Sequence, residues 1–511
     1  MRGNTNMAVE CGSTNMRSFR QSFAQQRLWF LRQLEPTSTQ HNVVMQFSIE
    51  GTFHPAAMRK AFAAMIAGHS ALRTCYRDGA DGPQQWVESK TSSALQFIAS
   101  SEACPQAQER QVRALVQAER TTVFDLEHGP VMRGLLFQRN PLHHELIISV
   151  HHISFDGRSG EIMLQDLAEG YTEAAARSQS QAQAQAAEAI AARPAAEMRK
   201  QWQYPDFAEA EPSLLPPDLV ADQLAFWRGH LQDIPLQLQW PEGRRQQAAG
   251  TGEHRFTIDA ALTASLTKFA RTQRLSVFQT LRTLFSVWLH YLAEQELFLI
   301  GTDIHGRNLP AGSASADFRR GVVDMVGFFV NQLPLKCDLR GSPTLSMLFE
   351  RSRRDRQQVK HYQHLPFDRL VSALAPERRS DSAPLFQVKL NYQPDRVTSR
   401  VFGEAVLTQF RIEQALGNLD LVLDIMHGPQ GMHACIEYNR QLFSAQDIDV
   451  ATALWLRLLK DLPYLLDLPL PEICSRLKQW DFERQHSRQQ RHHASNRARL
   501  ATTARRPMQV S

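Results

Sequence analysis

The chain has little of several things. Cysteine is scarce: six in 511 residues, at 11, 75, 104, 337, 435 and 474, with no Cys-x-x-Cys pair. That spacing indicates neither a zinc site nor a disulfide framework and fits a reducing, cytoplasmic setting. No apolar run is long enough for a membrane. The richest window, Phe285 to Gly301, is broken by His290, Glu294 and Glu296, so a bilayer span is not expected. The N-terminus, Met1 to Ser18, lacks the apolar core of a secretory signal. No short period recurs, which excludes a solenoid. An excess of charge of either sign is nearly absent from the body. The formal charge is +5, but six arginines (488, 491, 497, 499, 505, 506) with no acidic residue lie beyond Gln485, leaving −1 for the rest. A nucleic-acid groove across the fold is therefore not expected.

What is present is an ordinary globular mixture, 43% hydrophobic and 21% charged, able to bury a large core. Four polar stretches divide it. They are a lead (1–17), an Ala/Gln-rich connection (181–201, within a poor-in-apolar run from Glu173), a short loop from Gly243 to Gly252, and a Gln/His/Arg-rich tail (484–511) with the composition of a disordered segment. Between them lie two halves, 18–180 and 202–483, each mixing strand and helix patterns, so the fold class expected is α/β with two lobes. Strands are predicted at Val43–Glu50, Val131–Gln138, His144–Val150, His254–Ile258, Glu296–Gly301, Phe328–Leu335, Phe386–Tyr392, Leu419–Ile425 and Met432–Tyr438. Helices are predicted after Pro55, at Leu262–Leu275 and Val277–Tyr291, and at Asp447–Leu466 with a break at Pro463.

The segment richest in chemistry is His151-His152-Ile153-Ser154-Phe155-Asp156-Gly157. An apolar strand runs into it and a helical pattern follows. Successive side chains on a strand face opposite ways, so only one histidine can face a given cleft. Three readings stand: two structural histidines on a buried strand; a metal set of His151, His152 and Asp156, which adjacent strand residues serve poorly; or one neutral histidine acting as base near pH 7. Asp156 can accept backbone N–H bonds at a helix start or pair with a distant cation. Gly157 admits close backbone approach.

Seven further segments make this specific. Ser22–Leu31 (SFAQQRLWFL), Leu72–Thr74, Tyr204–Ala208 (YPDFA), Ile300–Arg307 (IGTDIHGR), Gly327–Asn331 (GFFVN), Leu365–Phe367 and Pro384–Val388 (PLFQV) occur in this order around the histidine motif. Together they resemble the condensation domains of nonribosomal peptide synthetases, from about Ser18 to about Glu472. The resemblance implies two chloramphenicol acetyltransferase-like lobes in a V-shaped pseudo-dimer, with a central tunnel entered from both sides. It implies that His152 faces the tunnel and that His151 is structural. Asp156 would pair with Arg307, which would otherwise be a surface arginine, and the Gly157 N–H would face the developing oxyanion. Asn331 would line the tunnel or satisfy a strand end.

The resemblance also implies the chemistry. An acyl group would pass from a phosphopantetheine thioester to an amine or alcohol, giving an amide or ester. No cofactor would be bound intrinsically, because the arm arrives on an acyl- or peptidyl-carrier protein. The nucleophile would be a small molecule or carrier-tethered. With no adenylation or carrier segment in the chain, a free-standing, monomeric enzyme meeting its carrier in trans is expected. The tail would dock that carrier or serve only solubility. Two positions depart from the family pattern. Arg158 stands where tryptophan is frequent and would place charge near a tunnel mouth or be solvated, and His305-Gly306 stands where small residues and Asn are common. An epimerase-type segment is not found near Phe410–Asn418, nor is the Asp-Phe-Gly-Trp-Gly of plant-type acyltransferases. A non-catalytic recruitment platform of the same fold is the remaining alternative.

Overall fold

The computed structural model describes residues 16–89, 94–183, 202–241, 250–374, 383–394, 399–413, 419–428, 430–484 and 486. The lead up to residue 15, the connection beyond Gln183, most of the loop before Gly250, the 414–418 segment and the basic tail lie outside the described residues.

The first part of the chain runs through β1 (Arg17–Arg20), α1 (Phe23–Leu34), β2 (Asn42–Glu50), α2 (Pro55–Gly68), β3 (Thr74–Gly79), β4 (Gly82–Val87), β5 (Leu95–Ala99), α3 (Pro105–Thr121), β6 (Met132–Asn140), β7 (His143–His151) and α4 (Gly157–Gln183). Local chemistry starts these elements where it should. Ser22 and Gln25 form a capping box for α1, and Pro55, which has no N–H to lose, opens α2. Strand β7 shows why its apolar run is continuous. Ile148 packs beneath α2 and α4 with Phe62, Met65 and Leu167. Ile147, one residue away, packs on the other face with Val112 and Val116 of α3. Both faces are covered, so alternation vanishes.

The second part comprises α5 (Tyr204–Leu214), α6 (Pro217–His230), β8 (Thr251–Asp259), α7 (Ala260–Thr272), α8 (Val277–Ala293), β9 (Leu297–Ile304), α9 (Ala316–Val323), β10 (Asn331–Asp338), α10 (Leu345–His361), α11 (Phe367–Leu374), β11 (Val388–Gln393), β12 (Ser399–Phe402), β13 (Ala405–Glu413), β14 (Leu421–Gly428), β15 (Gly431–Asn439) and α12 (Ala445–Asp461). Six strands form one sheet in the order β10-β9-β11-β14-β15-β8. Its core side carries Leu390, Leu423 and Ile436 against Leu284 and Trp288 of α8 and Trp455 of α12.

A second six-stranded sheet has the order β12-β13-β2-β7-β6-β5, and a small sheet has the order β1-β4-β3. The long sheets confirm the α/β class. The division expected at residue 202 is nevertheless crossed. β13 pairs antiparallel with β2 (Val406↔Glu50 through Glu413↔Val44), so Ser399–Glu413 extend the first lobe's sheet. Phe207 and Leu214 of α5, and Phe318 and Val322 of α9, pack in that lobe's core as well. Two local corrections follow. Helix α4 runs through Gln183, so its C-terminal turn takes in the start of the Ala/Gln stretch. The strand expected from Phe328 begins only at Asn331, because residues 328–330 run as an extended segment against the active-site loop. Among the described residues no helix is long and apolar enough to cross a membrane.

Candidate active site

The two histidines part company at the end of β7. His151, the last strand residue, is 4% exposed. Its Nδ1 accepts the Ile153 N–H at 3.2 Å, and its ring packs near His41 and Phe124. Burial holds its pKa well below 6.5, so it is a neutral support. His152 opens a single 3-10 turn, His152–Ser154, which swings its side chain the other way. Its Nδ1 lies 2.6 Å from the Phe155 carbonyl. A carbonyl only accepts, so Nδ1 carries the proton and Nε2 keeps a free lone pair. The Phe328 ring stands edge-on at 5.0 Å and fixes the imidazole plane. Burial lowers the His152 pKa, opposed by the Phe155 carbonyl, Asp156 and Asp303. The result at neutral pH is an uncharged imidazole with a basic nitrogen.

Asp156 holds the loop. It is 1% exposed and caps α4. Its Oδ1 accepts from the Ser159 N–H at 2.8 Å and hydroxyl at 2.7 Å. Arg307 Nη2 donates to both carboxylate oxygens at 2.7 and 2.9 Å, and the Phe329 N–H reaches Oδ2 at 3.3 Å. Arg307 Nη1 donates to the Val322 and Met325 carbonyls at 2.8 and 2.6 Å. Its guanidinium lies over the Phe329 ring at 4.1 Å. This buried, charge-assisted network joins the histidine loop to the 322–329 segment. Arg307 is thus buried at 6% exposure, not a surface arginine.

Two cavities adjoin here. The larger, about 1450 Å³, is lined by His41, His152, Phe328 and Gln332, and by Lys389, Asn391, Asp424 and Glu437 of the β10-β9-β11-β14-β15-β8 sheet. The smaller, about 630 Å³, is lined by His305, Gly306, Phe329, Asn331, Tyr392 and His427 among others. They share Arg27, Asp303, Phe328, Val330, Pro366, Phe367 and Asp368 as a common wall. His152 lines only the larger cavity and packs against Phe328 of the shared wall.

The other expected site residues are placed less centrally. Gly157, first residue of α4, is exposed and a Cβ built on it would meet nothing within 4 Å, yet it lines neither cavity. Arg158 also lines neither. It pairs with Glu161 at 2.6 Å and Asp324 at 3.5 Å on the surface, so the expected charge at a tunnel mouth is instead spent in a surface ion pair. Asn331 does both things open to it: it lines the smaller cavity, and it donates to the Gln363 and Leu365 carbonyls at 3.1 and 2.8 Å and accepts the Phe367 N–H at 3.0 Å. Among the described residues no group of three His, Cys, Asp or Glu is placed to hold a metal ion.

Sequence reasoning missed several participants. Tyr204 donates to the Phe328 carbonyl at 2.5 Å and meets Ser22 Oγ at 2.8 Å, tying α5 to α1 and to the Phe328 strip. Asp303 and Lys389 pair at 2.8 Å in the cavity wall. His41, pulled down to about 3 by burial and then by His152 and Arg27, lies beside the catalytic candidate. Gly306 is needed where the motif departs from its relatives: its φ is +59°, and a Cβ would sit 1.8 Å from the Phe329 carbonyl oxygen. Asp303 stood within the Ile300–Arg307 motif without a role of its own, and the alternation of β11 was the signal for Lys389.

The Condensation domain family model matches residues 17–475. A linear gramicidin synthase polypeptide of Brevibacillus parabrevis is 29% identical over 452 residues, 87% of this chain and 8% of that protein. The dimodular nonribosomal peptide synthase of Bacillus subtilis is 30% identical over 461 residues, 86% of this chain and 18% of that protein. The chain thus spans a small part of the length of these relatives. Among solved structures, the condensation domain of the monacolin K polyketide synthase MokA is similar with a TM-score of 0.72 at 18% identity, covering 90% of this chain and all of that one. The X-domain of teicoplanin biosynthesis, solved in complex with OxyB, gives 0.70 at 20% identity, covering 93% of this chain and 98% of that one. These likenesses establish the two-lobed fold.

Proposed function

We propose, from the premise that the chain belongs to the condensation-domain family, that His152 Nε2 is the base of an acyl transfer from a carrier-protein thioester to an amine or alcohol. Condensation domains are acyltransferases of nonribosomal peptide biosynthesis. The observation that carries the assignment of His152 is its hydrogen bond to the Phe155 carbonyl, which fixes the tautomer with Nε2 unprotonated at the cavity wall.

The acceptor's N–H or O–H approaches Nε2 while its lone pair attacks the thioester carbonyl carbon. A C–N or C–O bond forms, the C–S bond breaks, and the proton taken by Nε2 passes to the departing thiolate. Base assistance of this kind is worth about 10²–10⁴-fold. An alcohol, far less acidic than imidazolium, gains more from it than a neutral amine does. Holding thioester and acceptor together beside His152 supplies the rest. Asp156 and Arg307 position the loop and do not touch substrate. Gly157, exposed at the N-terminus of α4 and lining neither cavity, would donate its N–H to the oxyanion only from a thioester seated against that helix end.

The pantetheine arm is part of the donor, delivered by an acyl- or peptidyl-carrier protein, and donor and acceptor would enter by the two adjoining cavities. The free thiols at Cys75, Cys104, Cys337, Cys435 and Cys474 support action in a reducing, cytoplasmic compartment. The test is intact-protein mass spectrometry of an acyl-loaded carrier mixed with the protein and a panel of amines and alcohols. Loss of the acyl mass from the carrier with appearance of an amide or ester supports the reading. A carrier that binds but keeps its acyl group with every partner would favour the non-catalytic platform.

A further inference from the structure

The face of the β10-β9-β11-β14-β15-β8 sheet that looks into the larger cavity is unlike its core face. On alternate positions it carries Lys389 and Asn391 of β11, Val422 and Asp424 of β14, and Glu437 of β15. Three of the ionisable groups here and at the adjoining β9 are carboxylates. Only one is matched: Lys389 Nζ lies 2.8 Å from both oxygens of Asp303. Asp424 accepts a hydrogen bond from Asn391 Nδ2 at 2.9 Å, a neutral donor. Arg255 of β8 is turned to Glu253 at 2.9 Å, and Arg120 reaches that same glutamate.

Glu437 is the odd one. It is 9% exposed, lines the cavity, and among the described residues no hydrogen bond or ion pair engages its carboxylate. A carboxylate so buried without a donor is costly, and such groups ask for a partner that the chain itself does not supply. Burial, with Asp424 and Glu253 nearby, pushes its pKa up to about 8.

We propose that the β14–β15 wall is a subsite for a cationic group of a substrate, an ammonium or guanidinium, bound by Glu437 and Asp424. This deepens the condensation reading and rests on it, since the same cavity holds His152. The subsite lies well away from Asp303, the residue of this sheet whose charge acts on His152. Gly301 pairs with Lys389, Lys389 with Val422, and Val422 with Glu437, so Glu437 lies three strand spacings from β9, about 14 Å across the sheet. A cation there belongs to the far end of an extended acceptor or of the acyl chain, not to the attacking nitrogen.

Binding and turnover test this separately. Isothermal calorimetry of the full chain without donor should show agmatine binding more tightly than neutral 1,5-pentanediol. Glu437→Gln and Asp424→Asn should each weaken agmatine by about 10-fold or more, the scale of a charge-assisted bond. Both variants remove a buried charge and keep the shape, so folding is preserved. Agmatine bound no better than the diol, or bound by both variants as by the unaltered protein, overturns the proposal. Two turnover arms then locate the source. Cadaverine against 5-amino-1-pentanol as acceptors tests the acceptor, and 6-guanidinohexanoyl against octanoyl on the carrier tests the donor. A preference for the cation in one arm, abolished by Glu437→Gln, assigns it. No preference in either arm while transfer proceeds also overturns the proposal. Agmatine binding that depends on Glu437, with no transfer from any pair, would instead count against the condensation reading alone.

Discussion

Replacing Arg307 by alanine tests the network beneath the catalytic loop. The guanidinium and the Asp156 carboxylate are 5% and 2% exposed, and the guanidinium donates to that carboxylate and to two backbone carbonyls. Alanine leaves Asp156 with the Ser159 and Phe329 donors but no counter-charge. Breaking one side of a buried pair costs about 3–5 kcal/mol, and the orphaned Val322 and Met325 carbonyls add about 1 kcal/mol each unless water reaches them. Arg307→Lys does not restore the site, because an ammonium cannot serve the carboxylate and both carbonyls from one planar fork. The double variant Asp156→Asn/Arg307→Met removes both charges and costs clearly less than the sum of the two single changes. Urea unfolding midpoints at constant slope measure the stabilities, and single-turnover transfer below the unfolding range measures the catalytic effect. Because Asp156 also holds the Phe329 N–H, next to the Phe328 ring that packs on His152, turnover should fall in the single variants that still fold. A loss under about 1 kcal/mol for Arg307→Ala, or a double variant as costly as the sum, would refute the reasoning.

Three other outcomes follow from the geometry. Gly306→Ala forces a Cβ to 1.8 Å from a backbone oxygen at φ +59°, and should cost at least about 2 kcal/mol in thermal or urea unfolding. Glu437 has a folded pKa raised from 4.5 to about 8. The protein therefore loses stability as pH climbs from about 5 through 8, by at most about 5 kcal/mol and less where water enters the cavity. Glu437→Gln should flatten that part of the pH–stability curve, and an unchanged slope would contradict the buried charge. The lowered pKa of His152 places the acidic limb of single-turnover transfer below pH 6.5, since the base must be unprotonated; a limb above that value would contradict the neutral imidazole.

Much of this was legible because it is local. The apolar run Leu146–Val150 ending at His151 predicts a strand leading into a loop, and the alternation rule alone separates the two histidines. Capping residues such as Ser276 with Gln279 mark α8 directly. The resemblance supplied the pairing of Asp156 with Arg307, 151 residues apart, which no local pattern encodes. What failed was non-local. Nothing in Ser399–Glu413 says that it pairs with β2, because edge partners are chosen by tertiary packing. Phe328–Val330 reads as strand by composition, yet its backbone is taken by Asp156 and Tyr204. Glu437 looks like the solvent face of a half-buried strand. Only the facing lobe turns that solvent into a cavity.

The most direct measurement is a single-turnover comparison of the unaltered protein and His152→Ala, with an acyl-loaded carrier and an accepted nucleophile followed by intact-protein mass spectrometry. The account predicts that the variant keeps its unfolding midpoint while transfer slows by about 10²–10⁴-fold. Transfer at an undiminished rate by a folded His152→Ala protein would contradict it.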